Sequence, residues 1–73
     1  MKLEFDGKAF SKKLRQKRLI DLDIDMGTAS KQIDVSKATL SRIERGRTPE
    51  LVTYAKVCNW LGVEMNTFLK KTK

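Results

Sequence analysis

The strongest structural signal in this sequence is a short helix whose two ends are both marked, between Ser36 and Gly46. Ser36 is a preferred N-cap residue, and its hydroxyl can accept a hydrogen bond from the free backbone N–H of Thr39. Val35 precedes the cap and Leu40 occupies the fourth helical position, which is the pairing of a hydrophobic staple. Gly46 enters the left-handed conformation at little cost, so we expect the helix to end there.

Another short helix is predicted directly before this one. Asp25 is the next plausible N-cap upstream, and Ala29 and Ile33 follow four residues apart, so they share a face. We expect this helix to stop near Asp34, which leaves a turn of only about three or four residues before the next helix. The pair therefore buries its apolar faces against each other.

The second helix of the pair has an outer face of small, hydroxyl and cationic side chains. With 3.6 residues per turn, Leu40 and Ile43 define its buried side. The residues opposite or beside them are Lys37, Ala38, Thr39, Ser41, Arg42 and Arg45. Such a helix fits the DNA major groove, about 12 Å wide, because Arg and Lys donate to guanine and a small residue can contact the thymine methyl. Arg47, just past the helix, is placed to hold a phosphate and fix the register.

The N-terminal part of the chain predicts one more helix. Asp6 is its N-cap, and Phe10, Leu14 and Arg18 follow at spacings of four residues, on one face. We expect this helix to end among residues 19–23.

The C-terminal part predicts a fourth helix and a short fifth one, and no segment predicts a strand. Thr48 is the expected cap of the fourth helix, with Pro49 in its first turn and Gly62 at its end. Its apolar stripe comprises Leu51, Tyr54, Ala55, Cys58 and Leu61, widened by Val57 and Trp60. Residues 65–69 suggest the fifth helix. The expected fold is one all-α, five-helix domain over residues 1–73, with flexible ends at 1–6 and 70–73.

Composition restricts the function further. The chain has 16 Lys and Arg against 9 Asp and Glu, and its formal net charge of +7 favours nucleic acid over an anionic membrane surface as the partner. With no His and one Cys, we expect no enzyme activity, no cofactor and no metal site. A single Cys cannot form an internal disulfide, which is consistent with the reducing cytoplasm. No apolar run approaches the roughly 20 residues that span a bilayer, so no transmembrane helix is expected. Together these features favour a cytoplasmic protein.

Two charge clusters have alternative interpretations. Six bases and no acids lie between Lys8 and Arg18, which indicates either a solvated helix face or a surface that follows a phosphate backbone. Asp21, Asp23 and Asp25 resemble a metal site only superficially, and we expect a solvated loop there.

The segment 34–46, followed by Pro49, resembles the lambda-repressor-like (XRE-type) helix-turn-helix family. The residues that carry the resemblance are Asp34-Val35-Ser36-Lys37-Ala38-Thr39-Leu40-Ser41-Arg42-Ile43-Glu44-Arg45-Gly46. Residues 58–63 also look like the end of the family's fourth helix, and the resemblance covers about residues 8–69. It implies a compact five-helix DNA-binding domain whose helix after Ser36 reads the major groove of double-stranded DNA. It also implies homodimers on palindromic operators.

The resemblance implies a role for each matching residue. The implied DNA contacts are Lys37, Ala38 and Arg42 at base edges, Thr39 and Ser41 at base or phosphate, and Arg45 and Arg47 at the backbone. The family also pairs an Arg late in the first helix with the Glu before the helix-ending glycine. Here these residues are Arg18 and Glu44, with Arg15 as the alternative partner.

The sequence departs from the family at four places. Met26 and Gly27 stand where relatives place a polar, phosphate-gripping residue, and Ser30 replaces a common Ala. Asp34 replaces the usual Gly between the two helices; if it is left-handed, it costs roughly 1 kcal/mol relative to Gly. The link from the first helix to the second is also about one residue longer than usual.

Structural roles compete with functional ones at several positions. Thr39 could serve only the helix cap, Ser41 could be merely exposed, and Cys58 is expected in the core. Trp60, Phe68 and Leu69 are expected in the core or its lid, with part of their surface as a candidate dimer patch.

The function that we predict is a sequence-specific transcriptional regulator, most simply a small phage-type or prokaryotic repressor of the Cro kind, because no second domain is evident. The alternative is an antitoxin-like module that binds a toxin protein as well as its operator. A peripheral membrane binder is disfavoured, because the first helix lacks a broad apolar face opposite its charges.

Overall fold

Four α-helices and one small sheet make up the fold, in a computed structural model that describes residues 2–72, with side chains for residues 3–71. In chain order the elements are β1 (Lys2–Phe5), α1 (Gly7–Gln16), α2 (Met26–Ile33), α3 (Lys37–Glu44), α4 (Leu51–Leu61) and β2 (Leu69–Thr72). A π-helical turn (Lys17–Asp21) continues α1, and a 3-10 turn (Met65–Phe68) precedes β2. The helical domain is as expected. The count of five helices is wrong, because the predicted fifth helix is a single 3-10 turn.

Side-chain caps start α1, α2 and α3 at the predicted residues. The capping bonds run from Ala9 N–H to the Asp6 carboxylate (3.1 Å), from Thr28 N–H to Asp25 (2.7 Å) and from Thr39 N–H to the Ser36 hydroxyl (3.0 Å). Gly46 has a φ of 92°, so it ends α3 in the positive-φ region as expected. All four signals act over a few residues, and all are confirmed.

The predicted cap of α4 is wrong. Thr48 and Pro49 lie in an irregular segment, and Glu50 is still extended, with a ψ of 159° and no side-chain capping bond. The helix begins at Leu51, which is 73% exposed although we placed it in the apolar stripe. Tyr54 is the first residue of α4 to reach the core, one turn later.

The core lies between all four helices, and α2 contributes the buried Ala29 and Ile33 to it. Its fully buried large side chains are Phe10, Leu14, Leu40, Ile43, Val57 and Cys58. The inward faces predicted for α1 and α3 are therefore confirmed. Phe10 packs against Tyr54 and Phe68 with ring centroids 5.1 Å apart in both pairs, and such tilted and edge-to-face contacts stabilise a small core.

A π-helical turn continues α1 toward α2. Leu22 N–H donates to the carbonyl of Lys17 at 3.0 Å, an i to i+5 bond that fits one more residue into the turn than an α-helix would. Helical structure thus ends at Asp21, within the expected interval.

Asp34 joins α2 to α3 in the left-handed conformation, with φ 69° and ψ 52°, as expected for the position where relatives carry Gly. Its N–H and that of Val35 both donate to the carbonyl of Ser30, at 2.9 and 3.0 Å, and so close the end of α2. Lys56 of α4 donates to the Asp34 carbonyl at 2.9 Å.

The two chain ends pair with each other, so the prediction of no strands is wrong. β1 and β2 are antiparallel, with Phe5 opposite Leu69 and Glu4 opposite Lys70. Phe5 packs against the Phe10 and Tyr54 rings, which attaches the sheet to the core. Most of the ends that we expected to be flexible lie in this sheet, and residues 1 and 73 lie outside the described residues. The four residues of β1 do alternate polar and apolar side chains, but the run is the shortest that can indicate a strand, and β2 (Leu69–Thr72) shows no alternation.

Candidate nucleic-acid interface

α3 presents the predicted DNA-contacting side chains to solvent. Leu40 and Ile43 are buried in the core, so the opposite side of the helix points outward. This outer face of α3 comprises Lys37, Ala38, Arg42 and Arg45, which are exposed, and Ser41, which is half-buried. Arg47 is exposed in the segment that follows the helix. Hence every residue that we singled out for DNA contact has accessible surface.

Arg45 is folded back along the helix in this structure. Its Nη2 donates to the Ser41 hydroxyl at 3.2 Å, and its Nε donates to the Ser41 carbonyl at 3.4 Å. Both bonds lie at the surface, where their net contribution is small. A phosphate oxygen is a stronger, charge-assisted acceptor for a guanidinium, so it can replace the hydroxyl.

Thr39 takes part in the cap of α3. The Ser36 hydroxyl accepts from the Thr39 N–H and also lies 2.7 Å from the Thr39 hydroxyl. The structural role that we weighed for Thr39 is therefore present. The hydroxyl is half-buried and borders the cleft described next, so it remains within reach of a ligand.

A polar cleft of about 490 Å³ separates the C-terminal part of α3 from the start of α4. Its polar lining comprises Thr39, Arg42, Arg47, Thr48, Glu50 and Thr53. Sequence reasoning had placed Thr48 in a helix cap and had given Thr53 no role. The cleft combines two guanidinium groups with three hydroxyls, which are suitable donors for a phosphate backbone, whereas the Glu50 carboxylate limits its positive charge.

The predicted ion pair between Arg18 and Glu44 anchors α3 to the end of α1. Nε and Nη2 of Arg18 donate to the two carboxylate oxygens of Glu44 at 2.6 and 2.7 Å. Arg18 Nη1 also donates to the Ile24 carbonyl at 3.4 Å. The side chains are 11% and 7% exposed, so this is a nearly buried bidentate pair. Hydrogen bonding to Glu44 raises the pKa of Arg18. Arg15, the alternative partner, is exposed to solvent and does not contact Glu44 in the described chain.

A helix-turn-helix family model, of the XRE and lambda-repressor-like type, matches residues 14–68. The chain belongs to this helix-turn-helix family. Searches of curated proteins and of solved structures returned no match. The family consists of DNA-binding regulators of transcription, and this coarse function extends to the helix-turn-helix domain described here.

The helix-turn-helix domain carries a negative charge at the start of α2, where relatives grip a phosphate. The Asp25 carboxylate accepts the Thr28 N–H, and this bond, with weaker attraction from Lys37 and Lys31, lowers its pKa. An ionised Asp25 occupies the helix end and repels a phosphate there. The start of α2 is therefore an unfavourable place for an anion.

The remaining candidate residues are mostly structural. Cys58 is 1% exposed, and burial raises the pKa of its thiol, so it is a core residue as expected. Trp60 is half-buried: its Nε1 donates to Gln32 at 3.0 Å, and Lys17 Nζ lies 4.9 Å from the ring centroid. Phe68 is buried, whereas Leu69 is 39% exposed.

Two absences concern only the described part of the chain. No helix within it is long and apolar enough to cross a bilayer. No three metal-ligating side chains within it are grouped so that they could hold an ion.

Proposed function

We propose that this helix-turn-helix domain is a sequence-specific repressor that inserts α3 into the major groove of double-stranded DNA. The observation that carries the proposal is the outer face of α3. Lys37, Ala38 and Arg42 stand in solvent on a helix whose other side is held by Leu40 and Ile43. A short, rigid helix with this outer face can approach base edges without displacing any core side chain.

Base reading and backbone contact fall to different residues in this proposal. Lys37 and Arg42 donate to base acceptors, and Ala38 contacts a thymine methyl group. The backbone contacts come from Arg45, Arg47 and the hydroxyls of the cleft, with Thr39 and Ser41 at either base or phosphate. The exposure of Lys37, Ala38 and Arg42 on α3 and the exposure of Arg47 beyond the end of the helix support this division.

The first experiment separates these roles. Duplexes from the promoter region of its own gene and scrambled duplexes are titrated with wild type, Arg42→Ala and Arg47→Ala at ~150 mM salt. Arg42→Ala is expected to lose ~1–3 kcal/mol of discrimination at one or two base pairs, whereas Arg47→Ala weakens all duplexes alike. Lys71→Ala, an exposed change on β2, is the matched control. Equal binding of promoter and scrambled DNA by the wild type would refute sequence-specific regulation.

We further propose that two copies bind one palindromic operator. An apolar groove beside the cleft is a suitable contact surface, and its lining includes Phe5, Pro49, Leu51, Tyr54, Met65 and Leu69. The groove shares Thr48 and Pro49 with the cleft, so a second copy seated in it lies next to bound DNA. A homodimer that covers an operator within a promoter represses by excluding polymerase.

A substitution at the groove tests the dimer. Leu51→Lys changes a side chain that is 73% exposed, so folding is expected to be unaffected. We expect the variant to bind a single half-site as well as the wild type but to lose cooperativity between two half-sites. If cooperativity between two half-sites survives this substitution, the groove is not the dimer surface. If affinity for a single half-site falls as much as affinity for the full operator, Leu51 contacts DNA.

A further inference from the structure

The solvent-facing surface of α1, and of the π-helical turn that continues it, carries side chains that the proposed DNA contact does not use. Five of them border one shallow depression: Lys12, Arg15, Gln16, Leu19 and Ile20. We call these five residues the α1 stripe. None of them lines the polar cleft or belongs to the outer face of α3, so a ligand on the stripe and DNA on α3 engage different side chains.

The stripe is basic at one end and apolar at the other. Lys12 and Arg15 are exposed, and no salt bridge of the described chain involves either side chain. Residues 8–18 include no Asp or Glu, so no carboxylate within α1 neutralises these bases. Leu19 is 52% exposed and Ile20 is 74% exposed, which leaves two large aliphatic side chains in water beside the bases.

A ligand that matches the whole stripe must offer anionic and apolar groups together. Carboxylates beside the two bases gain charge-assisted hydrogen bonds, and aliphatic groups beside Leu19 and Ile20 remove apolar surface from water. The stripe extends for about two helical turns, roughly 12 Å. An amphipathic helix packed along it presents a side chain every three or four residues over the same length.

Two other anionic surfaces match the stripe less well. A nucleic-acid backbone is complementary to the two bases, but it leaves the two aliphatic side chains without an apolar partner. A membrane surface needs a broader apolar face than two side chains provide, and the exposed Asp21, which directly follows Ile20, is repelled by anionic headgroups. Charge and apolar contact together therefore favour a protein helix.

We propose that the α1 stripe docks an acidic amphipathic helix of another protein. The carboxylates of that helix lie beside Lys12 and Arg15, and its aliphatic side chains lie beside the apolar end of the stripe. Five residues are far fewer than the roughly 20–30 per side of a stable interface, so the contact is transient, with a dissociation constant on the order of 100 µM. A protein docked in this way is brought to the DNA sites that α3 occupies. This consequence rests on the proposed function, whereas helix docking itself does not.

The probe is a display library of random helix-forming peptides, selected on the full chain and then titrated by NMR at ~150 mM salt. We expect the selected peptides to combine Asp or Glu with Leu or Ile at helical spacing and to shift the amides of residues 12–20. Leu19→Ser is expected to weaken their binding about tenfold through lost apolar burial. Arg15→Glu is expected to weaken it similarly, because like charges then meet.

Matched controls separate docking from general attraction. Val52→Ser removes an aliphatic side chain that is 65% exposed on α4, and Lys31→Glu places the charge change of Arg15→Glu on α2. Both controls should bind the peptides to within about twofold of wild type, since salt screens distant charges. Changing to Lys the peptide acid that faces Arg15 should restore binding to Arg15→Glu, to within about threefold of the original pair.

Three results would overturn the proposal. The first is a selection that yields no peptide that binds the stripe. The second is binding that Leu19→Ser does not weaken, which is only the attraction of acids to a chain of net charge +7. The third is a Lys12→Ala variant that loses more DNA affinity than Lys31→Ala, which would assign the stripe to the phosphate backbone.

The uncharged variant Leu19→Ser keeps this test independent of DNA recognition. It should bind promoter and scrambled duplexes as the wild type does, so a failure of helix docking and a failure of sequence-specific binding are distinguished. Thermal melts check that each variant is folded, and all of the substituted side chains are exposed.

Discussion

The Arg18–Glu44 pair permits a quantitative prediction about what holds α3 in place. Removing one partner from a nearly buried pair leaves the other charge without compensation and typically costs ~3–5 kcal/mol. A 73-residue domain has a total stability of about 4–11 kcal/mol, so this loss is a large part of the whole. Arg18→Met, which keeps the aliphatic packing, is therefore expected to lower the melting midpoint by at least about 12 °C.

The two single substitutions are expected to differ in cost. With Glu44→Leu, the long Arg18 side chain can extend its guanidinium toward water, because its stem is flexible and it is already 11% exposed. With Arg18→Met, the shorter Glu44 carboxylate, 7% exposed, loses both charge-assisted bonds and has less reach. Arg18→Met should therefore be the more destabilising change.

A double-mutant cycle measured by urea denaturation completes the test. The double variant Arg18→Met/Glu44→Leu replaces the ion pair with apolar groups, which is often close to neutral. We expect it to be more stable than Arg18→Met alone, with a coupling energy of at least about 2 kcal/mol. If the losses in unfolding free energy caused by Arg18→Met and Glu44→Leu simply add in the double variant, the two side chains are not energetically coupled despite their short N–O distances.

Three further predictions concern the caps and the turn. Asp34→Gly should raise stability by up to about 1 kcal/mol, since the left-handed strain is relieved and only an exposed contact of the carboxylate with Lys56 is lost; a lower melting midpoint would contradict this. Ser36→Ala should cost about 1 kcal/mol in urea denaturation, and an unchanged midpoint would rule out an energetically important cap. The pKa of Asp25 is lower in the folded protein than its ordinary value of 3.8, so the Asp25 carboxylate contributes fully to the free energy of unfolding above pH 3.8. This contribution is lost as the pH falls through the pKa of the folded state. Asp25→Asn should therefore make stability fall less steeply in acid, and an unchanged slope of stability against pH would refute the linkage.

The helix pair could be predicted from sequence because its determinants are local. Ser36 and Asp25 each bond a backbone N–H three residues later, and Gly46 terminates α3 through its own conformation. The left-handed conformation of Asp34 was considered only because the resemblance places Gly at that position, and the structure has it, with φ 69°. The Arg18–Glu44 pair required the resemblance as well, since 26 residues separate its partners.

The features that sequence missed depend on distant parts of the chain. β1 and β2 lie at opposite ends of the sequence, and their pairing is held by Phe5 packing on the core, which no local pattern indicates. The start of α4 was misplaced because Thr48 and Pro49 are ordinary start signals, whereas the helix begins only at Leu51. For the same reason the cleft that contains Thr53 could not be foreseen.

Selection of bound DNA from a random pool tests the central claim most directly, since it asks whether the surface that begins at Ser36 distinguishes sequences. We expect enrichment of a symmetric motif with half-sites about one helical turn, ~34 Å, apart. The same selection with Arg42→Ala should lose one or two specified positions in each half-site. A pool that remains random after selection with the folded wild-type protein would contradict the account.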